Sequence, residues 1–380
     1  MKKILNVVSV FFSIPFFFGD QIKYFTSKGY DVSLVCSPSD KIAAFANAQN
    51  AHYKEIPILR KFSVFQDIKA VFVLYRYIKK HGFDIVCGHT PKGALIAMLA
   101  SFLARTPKRI FFRHGLVYET ARGLKKIILI NVERITSYCA TQVVCVSPYL
   151  VERSIKDHLT RKDKMLVLHK GSCNGVDCIK KFNPKKYTEE DRKSFKRSLG
   201  INENSYIIGY TGRLVHDKGI EELVDSFLLL QRRFKDIFLL LVGPIENKDP
   251  LSDRTKKLLQ NNKNIIVTGL VDNEIEKFYS IMNVLVLATY REGFGTCILE
   301  ASAMGIPVLT TAHTGSRDAI INERTGLYIK LSAESISSTV ELLIKNPDYA
   351  LKLGEQGRQY VNENFEQHIV WKSIEKMYQS

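Results

Sequence analysis

The chain has 380 residues, 46% of them hydrophobic, which exceeds what a single core usually serves, so two domains are expected. Its seven cysteines, at 36, 87, 139, 145, 173, 178 and 297, are odd in number and irregularly spaced; this argues against a disulfide framework or a zinc site and suits a reduced, cytoplasmic chain. The net charge of +17 is lopsided: residues 1–178 carry 27 Lys and Arg against 12 Asp and Glu, the remainder 28 against 26. The first half is therefore expected to face an anionic partner. No basic helix or nucleic-acid-binding motif accompanies that charge, so nucleic acid is not the expected partner.

In chain order, Met1-Lys2-Lys3 followed by an apolar run to Phe18 has the outline of a signal peptide. No small-residue cleavage site follows, and Gly19-Asp20-Gln21 leads into an amphipathic stretch ending at Gly29, so strand, loop, helix and strand are expected instead. Apolar runs at 4–10, 31–36, 85–88, 109–112, 142–146 and 165–169 are expected strands, separated by pieces long enough for the crossover helices of a parallel sheet. Arg60-Lys61-Phe62, Arg76 with Lys79-Lys80, Lys108-Arg109, and Arg122 with Lys125-Lys126 are interleaved with aromatic and aliphatic residues, the mixture expected of an anionic membrane surface. Nowhere does an uninterrupted apolar run reach the roughly 18 residues that cross a bilayer.

His89 and Lys92, in Gly88-His89-Thr90-Pro91-Lys92-Gly93, form a loop suited to an acceptor phosphate. His114 follows an expected strand and precedes Gly115, at the strand end where doubly wound sheets present ligand-binding side chains. From Lys180 to Arg197 the composition turns polar, marking the passage between domains. Strands are expected again at 207–211, 238–242, 265–268, 284–287, 308–310 and 326–329. The expected domains are 1–178, completed by a closing helix at 365–380, and 179–364.

Two segments of the second half carry chemistry. Gly212, Arg213 and Lys218 follow the strand ending at Thr211, where a guanidinium fork and a point-charge ammonium can grip a diphosphate. Further on, Glu292-Gly293-Phe294-Gly295-Thr296 leads into an expected helix at 296–304 that carries Glu300. The glycines permit close backbone approach, and the first amides of the helix suit an anion. Glu292 can accept hydrogen bonds from sugar hydroxyls, and Glu300, further along the helix, from a ribose.

These residues, together with Phe112-Arg113-His114-Gly115 and Lys170-Gly171-Ser172-Cys173-Asn174-Gly175-Val176-Asp177, resemble the motifs of the retaining glycosyltransferase family 4 in their order and spacing. The resemblance implies the GT-B fold: two Rossmann-like α/β domains facing across a cleft, with a final helix bearing Trp371 that crosses back onto the first. It implies a catalytic set of Glu292, His114, Arg213 and Lys218. Donor contacts would come from Gly19, Gly212, Arg213, Lys218, Gly293, Phe294, Gly295, Thr296 and Glu300, with Glu292 positioning the sugar rather than attacking it. At the first loop the chain departs from the pattern, carrying Phe18-Gly19 where many members have Gly-Gly.

The implied activity moves a hexose or N-acetylhexosamine from a nucleotide sugar, UDP above others, to a polyprenyl-diphosphate-linked saccharide in surface polysaccharide assembly. This would occur at the cytoplasmic face of the inner membrane. No Asp-x-Asp pair occurs, so neither a metal nor another cofactor is expected. A sugar-nucleotide epimerase of the same fold and a non-catalytic membrane partner are the rival readings.

Overall fold

The computed structural model of the protein describes residues 1–59, 63–271 and 273–380, which divide into two compact units, Met1–Asn174 with Gln367–Ser380, and Gly175–Glu366. The first unit contains strands β1 (Lys3–Val7), β2 (Asp31–Cys36), β3 (His52–Glu55), β4 (Ile85–Gly88), β5 (Lys108–Arg113), β6 (Gln142–Cys145) and β7 (Met165–Val167). They form one seven-stranded sheet in the order β3-β2-β1-β4-β5-β6-β7, every neighbour parallel. The second contains β8 (Tyr206–Thr211), β9 (Ile237–Val242), β10 (Ile265–Val267), β11 (Val284–Leu287), β12 (Val308–Thr311) and β13 (Leu327–Ile329), all parallel, in the order β10-β9-β8-β11-β12-β13. Both are Rossmann-like sheets, as expected.

Parallel strands are covered by helices on both faces, so most residues of the inner strands are apolar and buried; β9, Ile-Phe-Leu-Leu-Leu-Val, is buried throughout. In each sheet the strand order reverses once, between β1 and β4 and between β8 and β11. Loops leaving the carboxyl ends of those strands part to opposite faces and leave a crevice. That topology puts the segments after β8 and β11, and after β1 and β4, at the two places where ligands bind in such sheets.

The strand missing from the sequence expectation is β3. All four of its residues are exposed and it pairs only with β2 at the sheet edge, so it leaves no apolar run to read. The stretch after β1 also differs, forming two short helices, Ser13–Phe18 and Gln21–Ser27, with Gly19 at φ 48° between them. The closing helix is Gln367–Gln379; Val370, Ile374, Met377 and Tyr378 enter the first unit's core, and Trp371 Nε1 donates to Asn174 Oδ1 at 2.8 Å. Phe365 and Glu366 stay outside that helix because they pair with Val176, whose N–H donates to Phe365 O at 2.8 Å.

Arg113, at the end of β5, is 0% exposed. Its Nε donates to Glu133 at 3.1 Å, Nη1 to Ser154 Oγ at 2.7 Å and Nη2 to Ser137 Oγ at 2.7 Å, so the buried charge is paired and each of its three nitrogens donates. All seven cysteines are free.

Candidate active site

In the second unit, the segment after β8 turns back through a single 3-10 turn, His216–Lys218, and into the Ile220–Gln231 helix at Gly219. Gly219 lies at φ 62°, and a β-carbon there would fall 1.8 Å from Ala288 O, so only glycine lets this turn rest against the end of β11. The consequence is a crossed double ion pair. Asp217 and Lys218 are adjacent, as are Arg291 and Glu292; Arg291 Nη2 meets Asp217 Oδ2 at 2.7 Å and Lys218 Nζ meets Glu292 Oε2 at 2.7 Å. Lys218 Nζ also donates to Arg291 O at 3.2 Å, leaving one of its three hydrogens. Asp217 is further fixed by its own N–H on Asp249 Oδ2 at 2.8 Å and by its carbonyl, which accepts from Thr289 Oγ1 at 3.0 Å.

Burial opposes the charge on Glu292, but Lys218, the Gly293 N–H at 3.0 Å and Arg291 outweigh it and hold the carboxyl below its ordinary value. Asp217 is lowered in the same way, with burial again overcome by Lys218 and Arg291. Arg213, two residues past β8, has its Nη1 on Glu246 Oε2 at 3.0 Å and is about one third exposed. Both candidate phosphate cations are thus held in place by carboxylates.

The Thr296–Ala303 helix starts at Gly295, φ 83°, with no side chain capping it. Its first amides therefore remain available to an anion, while Phe294 turns its ring inward against Phe365, 5.5 Å between centroids. Glu300 lies on the same helix, and its Oε2 accepts from Tyr279 Oη at 2.6 Å. Burial raises the Glu300 carboxyl above its ordinary value, against the Tyr279 hydrogen bond and Lys181. Glu292, Gly293, Gly295, Thr296, Gly212, Arg213 and Lys218 thus gather at the β8–β11 reversal, with Glu300 behind them.

In the first unit His114 and His89 meet, Nε2 to Nδ1 at 3.0 Å, between β5 and β4. His89 Nε2 lies 3.3 Å from Asn6 Oδ1, and Cys173 Sγ 3.6 Å from His114 Nδ1. With Asn6 Oδ1 accepting, His89 Nε2–H donates to it, His114 Nε2–H donates to His89, and His114 Nδ1 accepts from the thiol. Burial pushes His114 down to about 3, so it stays neutral, and Phe17 covers it in a 3.9 Å stack. His89 is only 2% exposed. Lys92 is buried against Asp67 of the Val64–His81 helix. Gly19 packs beside Asn174, and Gln21 Nε2 donates to Cys173 O at 2.9 Å, which ties the first loop to the His114 side.

Sequence reading missed Asp217, Arg291, Glu246, Tyr279 and the Cys173–His114 contact as site components. Each acts through a partner far along the chain, and the only local trace was that Asp217 and Arg291 flank the recognised motifs.

Family models agree with this arrangement: residues 18–178 match Glycosyltransferase Family 4 and residues 191–360 match Glycosyl transferases group 1. The capsular polysaccharide biosynthesis glycosyltransferase CapM of Staphylococcus aureus is 34% identical over 378 residues, covering 99% of this chain and 97% of CapM. The UDP-Gal:alpha-D-GlcNAc-diphosphoundecaprenol alpha-1,3-galactosyltransferase of Escherichia coli is 26% identical over 322 residues, 84% of this chain and 80% of that enzyme. Anabaena HepE, solved with UDP and glucose, superposes with a TM-score of 0.82 at 17% identity over the whole of both chains. On its identity with CapM across nearly its full length, the chain belongs to the family 4, group 1 glycosyltransferases.

Proposed function

We propose that the protein is a retaining, metal-independent glycosyltransferase that moves a hexose or N-acetylhexosamine from a nucleotide-diphosphate sugar, UDP first among candidates, to a lipid-diphosphate-linked saccharide. The observation that carries this is the gathering of Arg213, Lys218, Glu292 and the uncapped Thr296–Ala303 helix start at one crevice. As the bond from sugar to diphosphate breaks, negative charge grows on the leaving phosphate, and the two cations and the helix amides stabilise it more than they stabilise the bound donor. Those cations do the work that a divalent ion does elsewhere. Glu292 holds donor hydroxyls and Glu300 the ribose, and the leaving phosphate takes the proton of the attacking acceptor hydroxyl. The names of CapM and of the diphosphoundecaprenol galactosyltransferase support a place in capsule or related surface polysaccharide assembly.

The test is incubation with radiolabelled nucleotide sugars and a membrane extract. Label in the organic phase is expected, with the donor's anomeric configuration kept in the product; label found only in water-soluble sugar would favour an epimerase.

The acceptor's lipid tail requires the protein to work at a membrane surface, and the first unit supports that. On the Val64–His81 helix Phe65 is 81% exposed, and Ile68 and Phe72 are exposed with it, among Lys69, Arg76, Lys79 and Lys80. On the Gly123–Cys139 helix Leu124, Ile127, Ile128 and Tyr138 are exposed beside Lys125, Lys126 and Arg134. Both helices pack on the same intervening helix, Pro91–Leu103. Arg60, Lys61 and Phe62 lie outside the described residues. Among those described, no helix is long and apolar enough to cross a membrane, so attachment would be peripheral. Each basic residue near an anionic surface contributes about 1 kcal/mol. Flotation with phosphatidylserine vesicles is therefore expected at low salt and should weaken at high salt; failure to float at either would remove the membrane claim.

A further inference from the structure

Glu300 is held from inside the protein. Tyr279, 0% exposed, presents its Oη to Glu300 Oε2 at 2.6 Å and to Thr211 Oγ1 at 2.6 Å. Its ring is wedged edge-on against Phe182, 5.8 Å between centroids at 77°. A phenol has one hydrogen, and a carboxylate offers only lone pairs, so the Tyr279 hydrogen goes to Glu300 and Thr211 Oγ1–H donates to the phenol oxygen. The chain of donors runs one way, from the last residue of β8 into Glu300. Burial and the Glu300 charge raise the Tyr279 phenol well above its ordinary value, so that hydrogen stays in place. Among the described residues no hydrogen bond ends on Glu300 Oε1.

We propose that Tyr279 is a positioning residue that sets nucleotide ribose selectivity: by anchoring one Glu300 oxygen to the end of β8, it aims the other at a single ribose hydroxyl. The proposal rests on the reading of Glu300 as the ribose carboxylate. An unanchored carboxylate can rotate and take either hydroxyl, whereas one pinned through a buried phenol presents a single acceptor direction at no further cost in side-chain ordering. Thr211 precedes Gly212 and Arg213, so the same bridge fixes the distance from the ribose carboxylate to the diphosphate cation.

The experiment is calorimetric titration of the full-length protein and of Tyr279→Phe, Thr211→Val and Glu300→Ala with UDP, 2′-deoxy-UDP and 3′-deoxy-UDP, with the GDP series alongside. In the wild type one deoxy analogue is expected to bind about 10-fold more weakly than its parent and the other almost as well. Tyr279→Phe keeps the ring and its packing; it should weaken the parent nucleotide about 10-fold and shrink the gap between analogues to about 2-fold. Turnover at saturating donor should change less than KM. Thr211→Val should shift both quantities in the same direction by less, and it decides the matter if Tyr279→Phe proves misfolded. Equal weakening of all three ligands, or an unchanged gap in both variants, would make Tyr279 a packing residue and overturn the proposal. Unchanged affinity and gap in Glu300→Ala, or no gap in the wild type, would overturn the ribose reading of Glu300 itself.

Discussion

Replacing Lys218 with alanine should lower turnover about 100- to 1000-fold while the protein remains folded. The size of the loss follows from where the charge sits. Lys218 Nζ is tied to Glu292 Oε2 at 2.7 Å and to Arg291 O at 3.2 Å, so its remaining hydrogen points from a fixed position and needs no reorganisation when charge develops on the leaving phosphate. The fold should survive because the neighbouring Arg291–Asp217 pair, 2.7 Å apart, still fastens the same two segments.

The Lys218 variant should also change in its pH dependence. In the wild type burial raises the Glu292 carboxyl, and Lys218 is the first of the groups that overcome it. Without that cation the Glu292 pKa moves up, so the acid limb of the turnover profile should shift to higher pH in Lys218→Ala. Lys218→Arg should recover little, since the larger planar fork does not fit a position enclosed by Glu292 and the Arg291 carbonyl. Turnover within about threefold of wild type in Lys218→Ala would remove it from the charge-stabilising role, because losing one such fixed donor costs far more than that.

What could be read in advance follows the physics of each feature. β2, β4 and β11 run over the expected residues because buried parallel strands are unbroken apolar runs closed by polar or glycine breaks. β3 carried no such mark, since an exposed edge strand has nothing to bury. The helix start at Gly295 was legible because glycine before a helical run marks an unusual backbone angle locally. Its electrostatic partners were not. Lys218 meets Glu292 across 74 positions and Arg213 meets Glu246 across 33, and neither pairing leaves a local pattern. The apolar run through Phe18 outlasts the strand it begins with: β1 ends at Val7, Phe17 covers His114, and Phe12 and Phe16 remain exposed, so hydrophobicity there does not report burial.

Arg113→Met should destabilise the first unit by about 3–5 kcal/mol, because it strands Glu133 in the interior without its cation. For a domain of this size that corresponds to a fall in melting temperature of roughly 10 °C. The hydroxyls of Ser137 and Ser154 each lose a donor at 2.7 Å in the same step, and β5 is anchored to the helices at Gly123–Cys139 and Pro148–Lys156 through those contacts. Arg113→Met with Glu133→Leu should recover most of the loss, since an apolar pair of similar volume in a buried site needs no desolvation.

The pH dependence gives the sharper check. Burial raises the Glu133 carboxyl above its ordinary value, and Arg113 is what opposes that rise; removing Arg113 lifts it further. A carboxyl whose pKa is higher in the folded than in the unfolded chain contributes stability at low pH that is lost as pH rises through the folded value. The deficit of Arg113→Met relative to wild type should therefore shrink as pH is lowered from neutrality toward the ordinary carboxyl value of about 4.3. Thermal melts of wild type, single and double variants across that range measure it. A deficit that stayed constant or grew on acidification, or a double variant no more stable than the single one, would show that the Arg113–Glu133 pair does not govern the stability of this unit.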